Sequence, residues 1–144
     1  MPIINDDNVI ARVLDQSKTI AVVGMSVDPS RDSYQIARYL QDHGYRIIPV
    51  NPTYSGENIL GERCHASLYD AADALEAEGS RIDMVDCFRR SDAMEAIADA
   101  AIDIGAPCLW MQLGVVNQAA ADKALAAGLA VVMDRCIKVE LANR

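Results

Sequence analysis

The sequence predicts an α/β domain: a parallel sheet wound in both directions from its first strand, with helices on both faces. Two observations carry this. Short, continuously apolar runs recur along the chain, and stretches of helical length with one apolar face separate them. The length of 144 residues suits one domain, taken here as 1–144.

Each element has its own signal. Residues 6–16 read as an amphipathic helix packed on the outside of the sheet. Residues 19–23 (TIAVV) are rich in β-branched side chains and end at Gly24, the mark of a buried strand. In 33–43 (SYQIARYLQDH), Ile36, Ala37, Tyr39 and Leu40 recur at helical spacing, with Ser33 as N-cap and Gly44 as stop. A strand follows at 45–50 (YRIIPV); Pro49 inside it is tolerable near a strand end. The segment from Asn51 to Gly61 is rich in turn residues and leads to a short helix near 70–78. Strands at 82–87, 107–112 and 129–133 then alternate with helices near 91–104 and 117–127. Right-handed crossovers give a Rossmann-like, doubly wound domain of five strands, with an expected order of 3-2-1-4-5.

Composition removes several classes. Thirteen Lys+Arg against 21 Asp+Glu leave a net charge of −8, unsuited to a nucleic-acid backbone. No apolar run approaches the ~20 residues that span a bilayer, and the acidic N-terminal stretch is unlike a signal peptide. A cytoplasmic protein without membrane partners is expected. Cys64, Cys87, Cys108 and Cys136 form no C-x-x-C pair, and with only His43 and His65 beside them no zinc site is expected. Reduced thiols suit that compartment.

Ligands of such a sheet sit outside the carboxyl ends of its strands, where the winding reverses. The first loop there, GMSVDPSRDS, offers Gly24, the hydroxyls of Ser26, Ser30 and Ser33, Arg31, and the start of a helix. Together these fit a phosphate; an ordinary loop with a capping serine is the other reading. The loop is not G-x-G-x-x-G, and Asn51 stands where a dinucleotide dehydrogenase has its ribose-holding acid. Asn51-Pro52 either walls an adenosine pocket or makes a plain turn. Phe88, Arg89 and Arg90 either focus positive potential on an anion or pair with Asp86, Asp92 or a helix acid. Met25, Trp110, Met111 and Leu113 could line an apolar groove or belong to the core. Cys136, between Arg135 and Lys138, is either a reactive thiol or a structural one. Cys64 beside His65 is a weak nucleophile–base candidate with no orienting group, and His43 should meet its own helix end.

Taken in order, TIAVVGMSVDPSRDSYQIARYL, IIPVNP, VDCFRR, LWMQLGVVN and VVMDRC resemble the small CoA-binding proteins with a Rossmann-like fold. These are stand-alone relatives of the CoA-binding domain of the succinyl-CoA synthetase alpha subunit. The resemblance runs from about Asp15 to Glu140. It implies coenzyme A or a short acyl-CoA as ligand. Gly24, Ser26, Ser30 and Arg31 would embrace the diphosphate, and Asn51 and Pro52 would flank the adenosine. Phe88, Arg89 and Arg90 would line the nucleotide pocket, and Gln112 and Gly114 would approach the pantetheine side. Cys136 would then stand near the CoA thiol, where a mixed disulfide could form. A non-catalytic or accessory binding module is expected, with a homo-oligomer compatible with the fold. The rivals are an NAD(P)- or CoA-dependent enzyme using the same cleft, and a regulatory interaction protein.

Overall fold

The computed structural model describes residues 3–144. Helix α1 (Asp7–Gln16) leads into strand β1 (Thr19–Val23), helix α2 (Asp32–Asp42) and strand β2 (Arg46–Val50). A small hairpin of β3 (Asn58–Ile59) and β4 (Glu62–Arg63) precedes α3 (Leu68–Ala77). The second half runs β5 (Met84–Cys87), α4 (Met94–Asp103), β6 (Cys108–Met111), α5 (Gln118–Ala126), β7 (Ala130–Val132) and α6 (Ile137–Ala142).

The main sheet has five strands in the order β2-β1-β5-β6-β7, and every pairing in it is parallel. The chain winds outward from β1 to β2, then returns past β1 and winds the other way through β5, β6 and β7, so the doubly wound sheet has its third main strand beside the first. The outer place beside β2 is held by the hairpin segment, where His65 makes one parallel bridge to Val50. Strand β5, inside the expected 82–87 strand, lies directly beside β1.

Strand residues alternate between two cores. Ala21, Val23, Val85, Leu109 and Val131 face α3, α4 and α5. Ile20, Val22, Met84, Trp110 and Val132 face α1, α2 and α6. α1 buries Ile10, Val13 and Leu14, each worth roughly 2 kcal/mol of burial, and Asp6 caps it through the Asn8 and Val9 N–H groups. No helix among the described residues is long and apolar enough to cross a membrane.

Three local details matter later. Pro49 accepts from His65 N–H at 3.1 Å on the hairpin side. A strand residue's N and O point to the same side, so the missing N–H of Pro49 falls away from β1. Asn5, with φ +61°, lies along β7: its Oδ1 accepts from Met133 N–H at 2.8 Å and its Nδ2 donates to the Met133 carbonyl at 2.9 Å. α2 begins one residue earlier than expected. Arg31 occupies its N-cap without a side-chain cap, while the buried Ser33 Oγ accepts from Ser26 N–H at 3.0 Å.

Candidate functional site

β1 and β5 end side by side, one on each side of the point where the winding reverses. Gly24 N–H donates to the Val50 carbonyl of β2 and Phe88 N–H to the Val23 carbonyl of β1, both at 2.9 Å, which extends the ladder past the strand ends and fixes where each loop starts. Gly24 has φ +85°, and a Cβ there would stand 2.2 Å from the Phe88 carbonyl oxygen and 2.9 Å from Arg89 Cδ. Only glycine fits that approach.

Adjoining hollows open here, and three of them carry the expected site residues. The first, of about 550 Å³, is polar and is lined by Gly24, Ser26, Ser30, Arg31, Asn51 and Phe88 among others. α2 starts on its wall, so the first-turn N–H groups of that helix, left without a side-chain cap, lie at the cleft. Ser26 Oγ accepts from Asp28 N–H at 3.0 Å and keeps its own proton to give. Ser30 differs from the expectation: its hydroxyl donates to Asp28 Oδ1 at 2.8 Å. The Ser30 backbone N–H and hydroxyl hold the Asp28 carboxyl below its ordinary range. Arg31 and Arg89 enter no ion pair among the described residues.

The second hollow, of about 320 Å³, is mostly apolar. Pro52 and Arg89 were expected there; Ala66, Leu68, Tyr69 and the α4 residues Ala96 and Ile97 were not. Sequence reading missed the α4 wall because alanines at helical spacing look like ordinary core, although a stripe of small residues is what leaves a groove open. Asn51, between the two hollows, donates from Nδ2 to the Met25 carbonyl at 3.0 Å and accepts from Thr53 N–H at 3.0 Å.

The third hollow, of about 470 Å³, is lined by Phe88, Arg89, Arg90, Gln112, Leu113 and Cys136 among others. Arg90 pairs with Asp92 at 2.7 Å and not with Asp86. Gln112 is buried, and its Oε1 accepts the Ile137 N–H at 3.2 Å, tying the loop after β6 to α6. Gly114 lines none of these hollows; its N–H donates to Asp134 Oδ1 at 2.7 Å. Of the four apolar groove candidates, Met25, Trp110 and Met111 are core residues, whereas Leu113 is 70% exposed. The indole N–H of Trp110 donates to the Arg135 carbonyl, which explains its deep burial.

Among the cysteines, only Cys136 is not buried. Its expected cationic neighbours are engaged elsewhere: Arg135 with Glu140 at 2.7 Å, and Lys138 over the Tyr39 ring at 5.1 Å. Cys64 points its thiol at the Asn51 carbonyl, burial pushes that thiol up, and no bond to the His65 ring is present among the described residues. His43 Nδ1 meets the Tyr39 carbonyl at 2.7 Å, at the end of α2 as expected.

The pattern of residues 18–142 matches the family model described as CoA binding domain. The chain belongs to this family. As a CoA binding domain it is 42% identical over 130 residues to the uncharacterized protein YneT of Bacillus subtilis (strain 168), covering 90% of each chain. Its fold matches a hypothetical protein from Pyrococcus horikoshii OT3 with a TM-score of 0.86 and 36% identity, over 99% of this chain and 95% of that one. A 65-residue stretch is 29% identical to the ADP-forming acetate–CoA ligase of Methanocaldococcus jannaschii. That stretch is 45% of this CoA binding domain and 9% of the ligase.

Proposed function

We propose that the chain binds coenzyme A or a short acyl-CoA as a non-catalytic or accessory module. The observation that carries this is the meeting of a polar cleft, an apolar pocket and a mixed groove at Gly24, Phe88 and Arg89. A ligand with a charged middle and less polar ends fits that sequence of surfaces. In this reading Ser26, Arg31 and the α2 N-terminus hold the diphosphate, with Ser30 shaping the loop through Asp28. Asn51 and Pro52 flank the adenosine, whose ring enters the apolar pocket. Arg89 and Arg90 face the 3′-phosphate, which carries about −1.5 to −2 charges near neutrality. Gln112 and Cys136 lie along the thiol arm, and Gly114 supports their loop from behind.

The NAD(P) alternative is less well supported, because Asn51 spends its amide on Met25 and Thr53 and offers no carboxylate to a ribose. A thermal-shift panel of CoA, acetyl-CoA, dephospho-CoA, NAD and NADP separates the readings. Binding raises stability by ~2.7 kcal/mol at 100 times the dissociation constant. CoA should shift the melt most; a shift with NAD alone would reject the proposal.

Two variants test the residues. Arg89→Ala should weaken CoA about tenfold or more, the scale of a lost charge-assisted hydrogen bond, and dephospho-CoA less. Equal affinities before and after, by calorimetric titration, would remove Arg89 from the site. Cys136 should exchange with CoA disulfide: its sulfur bonds to one CoA sulfur, the original S–S bond breaks, and one CoA thiol leaves. Intact-mass analysis should show one CoA adduct, absent in Cys136→Ser. An adduct that persists in that variant places the exchange on another thiol.

A further inference from the structure

Gln112 follows β6 and is almost sealed, at 4% exposure. Its bond to the Ile137 N–H fixes the sense of the amide, because only the oxygen accepts. Nε2 is thereby turned to the other side. Among the described residues it donates to nothing. Nor is it closed off in the core as both Asp86 oxygens are. The open space beside Gln112 is the groove it shares with Ile36, Phe88, Leu113 and Cys136. A donor whose amide is already fixed by the Ile137 bond is preorganised for an acceptor in that groove.

The geometry points to Gln112 Nε2 as a specificity-determining donor that reads a carbonyl oxygen on the thiol arm of coenzyme A. This rests on the CoA reading given above. A neutral, directional donor beside Ile36, Leu113 and Val115 suits a carbonyl, while the phosphates suit the arginines that share the groove. The thiol arm offers such oxygens in its pantetheine amides and, in an acyl-CoA, in the thioester.

Gln112→Glu keeps an oxygen for Ile137 and replaces the donor by an acceptor. Wild type and Q112E are titrated calorimetrically with CoA, acetyl-CoA, S-ethyl-CoA (a thioether without the thioester carbonyl) and adenosine 3′,5′-bisphosphate. About a tenfold loss is expected in Q112E. A loss confined to acetyl-CoA assigns the thioester carbonyl, and a loss shared by the three CoA compounds assigns a pantetheine amide. The bisphosphate, which has no thiol arm, should bind both proteins equally. Unchanged affinity for all three CoA compounds overturns the inference, as does an equal loss for the bisphosphate. Failure of the wild type to bind CoA at all overturns the functional reading instead. Should Q112E not fold, the side-chain amide resonances of Gln112 in the wild type give the answer. They should move with acetyl-CoA or CoA and stay with the bisphosphate; resonances that never move reject the donor.

Discussion

Gly24→Ala is expected to lower stability by roughly 2–5 kcal/mol, combining left-handed strain with overpacking. The methyl group would be forced to within 2.2 Å of the Phe88 carbonyl oxygen, a backbone atom that cannot swing aside. Either β5 shifts or its loop does, and Phe88 and Arg89 move with it. Denaturant unfolding should show a lower midpoint with little change in slope. CoA affinity should fall together with stability. Gly114→Ala supplies the comparison: φ is +85° there too, but no atom lies within 4 Å of the added carbon. It should cost only about 1–2 kcal/mol, the conformational share. If the two variants unfold at the same midpoint, the close approach at Gly24 contributes nothing and the rigid floor of the site is lost as an idea.

Asp86→Asn is expected to stabilise the protein at neutral and alkaline pH. Asp86 sits in β5 between Val22 and Trp110, is fully buried, and neither of its oxygens has a hydrogen-bond partner among the described residues. Burial pushes its carboxyl well above the ordinary range, and the Cys87 backbone N–H opposes this only weakly, without hydrogen-bond geometry. The same surroundings push the Cys108 thiol up to about 12, with burial the main cause. The folded state therefore keeps the Asp86 proton to a higher pH than the unfolded chain does. The Asp86 contribution to stability is fully present below the ordinary carboxyl range and falls as pH rises toward the folded value, by about 1.4 kcal/mol per pH unit. Asparagine has no proton to lose, so the variant should escape that decline. Melting curves of both proteins from pH 4 to 9 should diverge as pH rises. Parallel curves would mean that Asp86 is charged and compensated in the fold.

Much of this architecture is written in strong local patterns. TIAVV and CLWM are legible as strands because burial on both faces leaves no room for polar residues. The hairpin at 58–63 is legible only as turns, since two-residue strands have no periodicity to detect. α6 was missed because six residues are under two turns and its start is held from afar by Gln112. In the site, glycine and arginine positions were visible, but which partners they chose was not. Asp86 looked like a counter-ion for Arg89 or Arg90; strand alternation instead turns it inward, and Arg90 takes Asp92. Ser30 has the residue type of a phosphate donor, but Asp28 claims its hydroxyl, a pairing that residue types alone do not reveal.

The side chain of Asn5 completes the hydrogen bonding along β7 as a neighbouring chain would. Because this plug occupies the rim, and the hairpin bridge occupies the opposite one, the protein resists ribbon-like stacking of one molecule onto the next. A dimer that extended the sheet would have to displace the Asn5 plug at one rim or the His65 bridge at the other.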